Sequence, residues 1–200
     1  MSAPILYLCG TIMTMKAVPP VSLRPTTEAD LEFVVTAERD PGNAPFIRQW
    51  TLAEHRAALR DPDVAHRIVE STAAGALPGA GAWRPAAARP EPVGYVILLG
   101  LASPHLGVEF KRLVVTRKGA GFGRAAVRAV TLWAFETHGA HRLWLEVKPF
   151  NERARAIYAG EGFREEGTLR DVIKGAAGYE SLIVMSMLHP EYRAARDGGD

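Results

Sequence analysis

The stretch of residues 111–128 constrains the fold of this chain more than any other. Its apolar run 113–115 leads into a turn with three glycines, and a helical pattern starts at once. A strand, a glycine turn and a helix in this order can bind an anion. The amides of the turn and the positive end of the helix dipole point towards the bound anion. Arg117, Lys118 and Arg124 flank the same turn. The sequence therefore predicts a phosphate-binding turn.

Two familiar phosphate-binding motifs do not fit this turn. The P-loop needs Gly-Lys-Ser/Thr at its end, and the glycines here are followed by no such sequence. The dinucleotide fingerprint needs an acidic residue after the next strand, and the apolar strand 142–147 ends without one. A glycine-capped turn under a core helix, without a ligand, stays open as an alternative.

Length and composition fit one globular domain. The chain has 200 residues, of which 48% are hydrophobic and 23% are charged, and a net charge of +2 is too small to indicate a nucleic-acid or membrane partner. The single cysteine, Cys9, cannot form an intrachain disulfide and suits a reducing, cytoplasmic location. We expect an extension over residues 1–20, a domain over 21–190 and a frayed polar tail over 191–200.

Apolar periodicity predicts alternating strands and helices along the domain. Strands are predicted at residues 21–24, 65–71, 93–101, 107–115, 142–147, 163–169 and 180–187. Helices are predicted after the capping residues Thr27 and Thr51, over residues 121–138, and after Asn151. Residues 72–92 are rich in Ala, Pro and Gly and predict a loop between two strands.

Asn151 and Tyr158 form a second polar feature. They lie seven residues apart on the short helix that follows strand 142–147. Seven residues are nearly two turns, so both side chains face one side, about 10 Å apart along the axis. We expect strand 142–147 beside the strand that precedes the glycine turn, which brings the carboxamide and the phenol to the edge of the phosphate site. A capping Asn and a core Tyr are the alternative.

Three segments together resemble the GNAT acyltransferase superfamily, and within it the ribosomal-protein alanine and serine N-acetyltransferases. They are LRPTTEADL near the start of the domain, LVVTRKGAGFGRAAV around the glycine turn, and NERARAIYAGEGFREEGTLRD from Asn151 to Asp171. The resemblance covers residues 23–188. It implies an α+β fold with a mixed, mostly antiparallel sheet of about seven strands, helices on both faces, and two central strands that splay apart.

The resemblance also implies a cofactor site for acetyl-CoA. Backbone groups of Leu113, Val114 and Val115 would pair with the pantetheine arm and hold the thioester carbonyl. Asn151 would contact the arm near the thioester, and Tyr158 would protonate the departing thiolate. The pyrophosphate would lie on the turn, whose residues are Lys118, Gly119, Ala120, Gly121, Phe122, Gly123 and Arg124.

The turn departs from the family pattern in two ways. Lys118 stands where Arg or Gln is usual, and the link between the strand and the turn is about two residues shorter than the commonest form. Lysine supplies charge but no bidentate fork. We therefore expect Arg117 to compensate.

The implied reaction is direct attack of a neutral amine on the thioester, with both substrates bound. At pH 7 an α-amine of pKa near 8 loses its proton at a cost of about 1.4 kcal/mol, against about 4.6 kcal/mol for a lysine or polyamine amine. The amide near Val114 is the candidate oxyanion donor. Glu109 is the candidate general base, and an ion pair with Lys111 or Arg112 is its alternative role. The six histidines show no metal-ligand spacing, and we expect no metal.

The acceptor is predicted to be a primary amine, most simply a ribosomal or other protein N-terminus. Polyamines, amino sugars and antibiotic amines stay open, as do a non-catalytic acyl-CoA-binding module and a homodimer. The acceptor walls are expected from the first two helices with residues 46–50, the loop 72–92 and the turn near Gly175. We expect no membrane partner and no direct nucleic-acid contact. A nucleic-acid patch is the rival for six basic residues, namely Lys111, Arg112, Arg117, Lys118, Arg124 and Arg128.

Overall fold

A mixed sheet of seven strands, in the order β1-β2-β3-β4-β5-β7-β6, forms the centre of the computed structural model, which describes residues 18–72, 90–175 and 178–197. The strands are β1 (Val21–Pro25), β2 (Val64–Ser71), β3 (Glu91–Leu99), β4 (Gly107–Val115), β5 (Arg142–Val147), β6 (Arg164–Gly175) and β7 (Gly178–Leu188). The helices are α1 (Leu31–Arg39), α2 (Leu52–Ala58), α3 (Phe122–Leu132), α4 (Glu152–Gly160) and α5 (His189–Asp197). A π-helical turn, Trp133–Thr137, continues α3.

The sheet is split between β4 and β5. Every other neighbouring pair of strands is antiparallel, whereas β4 and β5 run parallel. Their pairing covers three residue pairs, the last of which joins Glu109 to Trp144. Beyond this pair the two strands separate towards their carboxyl ends. The structure confirms the predicted mixed sheet with a splayed central pair.

Alternate residues of the central strands supply two separate cores, one on each face of the sheet. On β3, Val96 and Leu98 are buried with α3 on one face, while Tyr95 and Ile97 are buried with α1 on the other. Because side chains alternate along a strand, a central strand covered on both faces reads as a continuous apolar run. This accounts for the uninterrupted apolar pattern of β3.

The predicted helix starts are confirmed. The amide of Thr51 donates to the Glu54 carboxylate at 2.6 Å, and the amide of Glu54 donates back to the Thr51 hydroxyl at 3.2 Å. The amide of Thr27 likewise donates to Asp30 at 2.8 Å and opens a 3-10 turn ahead of α1. Such reciprocal bonds satisfy amides that have no partner within the helix.

Several boundaries of the sequence prediction are wrong, and β6 continues to Gly175, past its predicted end at residue 169. Glu91 and Pro92 belong to β3 and not to the loop 72–92, of which residues 73–89 lie outside the described residues. The frayed tail is helical over residues 191–197, because the Tyr192 ring stacks on Phe135 with centroids 4.9 Å apart. One aromatic residue and two alanines among charged residues give no clear helical periodicity.

Two remaining predictions concern the N-terminal extension and the membrane. Residues 1–17 of the predicted extension, including Cys9, fall outside the described residues. In the part of the chain that the structure describes, no helix combines the length and apolar character needed to cross a membrane.

Candidate functional site

A cavity of about 420 Å³ opens where β4 and β5 separate. A cavity of this size suits a small-molecule ligand. Its wall comes from β4 (residues 110–115), the glycine turn, the end of β5, one side of α4 and the segment after α1. The split in the sheet therefore creates the concave site, and the predicted phosphate turn forms one end of it.

The glycine turn needs its glycines for conformation and for close packing. Gly119 and Gly121 have φ angles of 78° and 87°, in the left-handed region that residues with a side chain avoid. Gly121 caps α3. A Cβ atom on Gly123 would lie 3.4 Å from the Ile157 side chain on α4, which leaves little room between the two helices.

Most of the predicted turn residues line the cavity, but two do not. The lining ones are Arg117, Lys118, Gly119, Gly121, Gly123 and Arg124. Ala120 packs against the core, and the Phe122 side chain is buried in it. The structure therefore brings the backbone of the turn and its cations to the cavity, while these two side chains hold the turn on the body of the protein.

The cations around the turn face carboxylates. Lys118 Nζ lies 3.6 Å from Asp40, and Arg117 forms an ion pair with Glu91. A second carboxylate, Glu161, accepts from Arg128 at 2.6 Å and lies 3.4 Å from Arg124 Nε. Arg112 is buried inside the protein. This arrangement gives no support to a continuous basic patch for nucleic acid.

The backbone of β4 presents hydrogen-bonding groups to the gap. The amide of Thr116 donates to the Val93 carbonyl on β3 at 2.9 Å. Alternate residues along a strand point their backbone groups to opposite sides. The amides of Leu113 and Val115 therefore face the separated β5, whereas that of Val114 faces β3. The predicted oxyanion donor was the amide near Val114, and in this geometry the amides on either side of Val114 are the ones available to a ligand in the gap.

Asn151 and Tyr158 both reach the same cavity. Asn151 Oδ1 accepts from the Ala154 amide at 3.3 Å, so its cap role is confirmed. The Tyr158 ring packs edge-on against Phe110 with centroids 6.2 Å apart, and burial raises the pKa of its hydroxyl. In the described residues this hydroxyl makes no hydrogen bond. It remains a neutral O–H donor at the cavity wall.

Glu109 does not line the cavity. It lies where β4 and β5 are still paired, and Lys111 Nζ donates to it at 2.9 Å. The alternative role of Glu109, an ion pair with a neighbouring lysine, is the one that the geometry supports.

Glu146, near the end of β5, lines the cavity instead. Burial raises the pKa of its carboxyl, with Lys111 opposing and Glu109 adding to the shift. No ion pair or hydrogen bond holds Glu146 in the described part of the chain. The sequence analysis missed it, although the inward pattern of Leu143 and Leu145 puts position 146 on the opposite face of the strand.

The far end of the cavity is lined by the segment after α1. Asn43, Phe46 and Ile47 line the cavity there. Of the predicted acceptor walls, residues 46 and 47 therefore contribute, whereas α1, α2 and the turn near Gly175 supply no lining residue in the described part of the chain. The Phe46 ring lies 5.8 Å from that of Phe150, and both are exposed at the mouth. Lys148 Nζ donates to the Pro45 carbonyl at 3.0 Å. This end therefore combines aromatic surface with a tethered lysine.

A family model for the acetyltransferase (GNAT) domain matches residues 21–164 of this chain. The chain belongs to the GNAT acetyltransferase family. A curated relative, the [ribosomal protein bS18]-alanine N-acetyltransferase of Salmonella typhimurium, is 40% identical over 52 residues, which are 26% of this chain and 35% of that protein. The chain thus aligns with about a third of the length of the curated relative it matches.

Solved structures of this GNAT fold include the spermidine N-acetyltransferase of Vibrio cholerae in complex with CoA and spermine. It is 20% identical, covers 86% of this chain and 98% of that chain, and has a TM-score of 0.71. A single-residue mutant of the Vibrio cholerae enzyme is 21% identical, with coverages of 88% and 99% and a TM-score of 0.70. At this identity the likeness shows the fold.

A buried polar cluster adjoins the cavity of this GNAT domain, and the sequence analysis missed it. Glu38 is 1% exposed and accepts hydrogen bonds from Tyr95 and Arg112. His55 Nε2 lies 3.3 Å from the same carboxylate, and His55 Nδ1 lies 3.1 Å from His66 Nε2. Burial first, then His55, lowers the pKa of His66 to about 3, so this ring stays neutral. The partners come from four elements far apart in sequence, which hides the cluster from local patterns.

The histidines of this GNAT domain show no sign of a metal site. His138 and His141 flank Gly139, whose φ of 77° ends the π-helical turn. Within residues 18–72, 90–175 and 178–197, no group of three or more His, Cys, Asp or Glu side chains could hold a metal ion. The groups that the cavity offers for chemistry include its amides, its hydroxyl and its carboxylate.

Proposed function

We propose that this protein is an acetyl-CoA-dependent N-acetyltransferase. Its acceptor is proposed to be a molecule that presents one α-amine, such as a polypeptide N-terminus, and not a polyamine. One observation carries the proposal. The cavity at the split between β4 and β5 collects the glycine turn, strand amides, a neutral phenol and an unpaired carboxylate.

Each group has a role in direct acetyl transfer. The turn of residues 118–124 would hold the pyrophosphate through its amides and the N-terminus of α3. The amides of Leu113 and Val115 would hold the thioester arm and stabilise the oxyanion in the gap. Asn151 Nδ2 is available to the arm, because the cap bond uses only the oxygen of that side chain.

Proton movement involves two side chains. Glu146 would take the proton from the attacking amine, directly or through water, and its raised pKa makes it a better base than an ordinary glutamate. Tyr158 would give its proton to the departing thiolate. A free thiol has a pKa near 8.5 and a phenol near 10, so this transfer costs about 2 kcal/mol at these reference values. Burial raises the pKa of both groups, because it disfavours the thiolate as well as the phenolate.

The charges of the cavity support a single amine over a polyamine. Glu146 is the one carboxylate among the lining residues that the structure describes, and the other charged lining side chains are cationic. A polyamine carries several positive charges and needs several carboxylates to replace its hydration. An α-amine also gives up its proton at a cost about 3 kcal/mol smaller than that of a polyamine amine at pH 7.

A panel of amines tests the proposal. Purified protein with acetyl-CoA is assayed for thiol release with peptides that begin with a free Ala or Ser, the same peptides with a blocked N-terminus, spermidine and an aminoglycoside. We expect the free N-termini to give the highest kcat/KM, and the blocked peptides, even with internal lysines, to give little. A higher kcat/KM for spermidine would instead identify a small-molecule acetyltransferase, and CoA binding without turnover would identify a binding module.

A further inference from the structure

The buried carboxylate of Glu38 joins three segments around the acceptor end of the cavity. Its Oε1 accepts from the Tyr95 hydroxyl on β3 and from the Arg112 guanidinium on β4. Its Oε2 accepts from the backbone amide of Trp50 at 2.8 Å. With 1% of its surface exposed, Glu38 makes all these contacts away from water, where a charged hydrogen bond is strong.

Arg112 completes the link from its side. Its Nη2 donates to the carbonyl of Arg48 at 2.5 Å, and its guanidinium lies over the Trp50 ring, 4.6 Å from the centroid. The backbone of residues 48–50 is therefore bonded at its carbonyl to Arg112 and at its amide to Glu38. This segment has no strand partner, so these bonds fix its distance from β4.

The position of the pair connects it to the chemistry. Arg112 directly precedes Leu113, whose amide faces the gap, and Arg48 directly follows Ile47, which lines the acceptor end. Building on the transferase function proposed above, we propose that Glu38 and Arg112 are positioning residues, which hold the acceptor wall of residues 46–50 at a fixed distance from the thioester strand. Neither residue acts on the reacting atoms.

The cofactor turn is largely independent of this pair. Arg124, at the start of α3, is held by Glu161, which follows α4, whereas α1 contacts the turn through the pair of Asp40 with Lys118. That pair is exposed and 3.6 Å long, so it contributes little. Loss of Glu38 should therefore change the acceptor side and leave acetyl-CoA binding intact.

Glu38→Gln is the first test. Glutamine offers one acceptor oxygen to donors that the carboxylate serves with two, and it leaves the guanidinium without a counter-charge. We expect the KM for the acceptor amine to rise by about tenfold or more, with the KM for acetyl-CoA within about twofold of the wild type. Trypsin should also cleave faster after Arg48, because its side chain is exposed, the Trp50 amide loses its carboxylate acceptor, and the Arg112 that bonds the Arg48 carbonyl loses its counter-charge.

A second variant keeps the test valid if Glu38→Gln unfolds. Replacing both charges, in Glu38→Leu with Arg112→Met, removes the buried ion pair, and such apolar replacements commonly preserve stability. This double variant still lacks any group that could hold the Arg48 carbonyl and the Trp50 amide. We expect a melting temperature near the wild type, a raised acceptor KM and fast cleavage after Arg48. Recovery of the acceptor KM together with stability would overturn the positioning role.

Glu166→Gln is the surface control. It breaks another glutamate–arginine pair, in which Arg142 Nη1 donates to Glu166 at 2.5 Å, and neither residue lines the cavity. Unlike Glu38, Glu166 is partly exposed. We expect both KM values and the cleavage after Arg48 to be unchanged, and an equal rise of the acceptor KM here would overturn the inference. If the wild type acetylates no amine, the proposed function fails, while slow cleavage after Arg48 in the double variant would independently refute the link.

Discussion

The two ends of the cavity present different kinds of chemical group. At the cofactor end the working groups are backbone amides, presented by left-handed glycines and by the unpaired edge of β4. At the acceptor end they are side chains, and a buried ion pair of Glu38 with Arg112 holds the wall in place. In the proposed function the first end would bind acetyl-CoA, the co-substrate that the family shares, whereas the second could change its specificity by changing side chains.

This difference predicts how mutations divide between the two ends. Changes in the backbone turn should act on acetyl-CoA, and changes in side chains from α1, β5 or the segment after α1 should act on the amine. Tyr158 and Glu146 lie where the two ends meet and should act on turnover.

Tyr158→Phe should give the largest effect. The substitution keeps the ring contact with Phe110 and removes the proton that the thiolate needs. A general acid contributes about 10²-fold or more to a rate, so we expect kcat to fall by about that factor with little change in the KM for acetyl-CoA. Steady-state thiol release measures both. An unchanged kcat would show that another group donates the proton, and it would contradict the proposed role of Tyr158 where the two ends of the cavity meet.

Glu146→Gln should reduce turnover by about tenfold at pH 7, since an α-amine of pKa near 8 is already about 10% neutral there. In the wild type, burial raises the pKa of Glu146, so the base loses its charge at a higher pH than an ordinary glutamate. The rate should therefore fall on the acidic side as pH drops through that raised pKa, and this limb should vanish in the variant. Glu109→Gln is the control and should keep the limb but move it to lower pH, because the charge of Glu109 is one cause of the raised pKa of Glu146.

Gly121→Ala should weaken the cofactor end selectively. An alanine in the left-handed region costs about 1–2 kcal/mol, so if the turn reshapes to relieve it we expect the KM for acetyl-CoA to rise about five- to thirtyfold. Gly139→Ala carries a matched strain, since φ is 77° there and no atom lies within 4 Å of the added Cβ. It should lower the melting temperature without changing that KM. Equal effects of the two variants on acetyl-CoA would contradict a role for the turn.

Lys118→Ala should give the smallest effect. The Lys118 side chain is exposed and its pair with Asp40 is long, so its contribution to the cofactor end is a screened charge. We expect the KM for acetyl-CoA to rise about two- to fivefold at low salt, a modest surface-charge effect, and the difference from the wild type to shrink as ionic strength increases. A salt-independent loss would show that Lys118 makes a direct, desolvated contact.

The sequence predicted those parts of the site whose residues lie close together along the chain. Asn151 and Tyr158 lie on one helix, and the glycine turn lies at one strand–helix junction. Local spacing predicted each feature, and the expected neighbouring position of the two preceding strands brought them to one site. Glu38 was invisible because its partners Tyr95 and Arg112 are 57 and 74 residues away. Glu146 was within reach, since strand alternation places it opposite Leu145, but the choice between it and Glu109 depends on where β4 and β5 part.

The three residue pairs that join β4 to β5 have a mechanical consequence. They are the ladder that connects a four-stranded antiparallel half, β1 to β4, with a three-stranded half, β5, β7 and β6. The pantetheine arm of acetyl-CoA carries its own amides. Where the strands diverge, these amides can form hydrogen bonds with the backbone of β4 in place of those that a neighbouring strand would form. We therefore expect acetyl-CoA to slow amide hydrogen exchange at Leu113 and Val115 and to couple the two halves into one cooperative sheet.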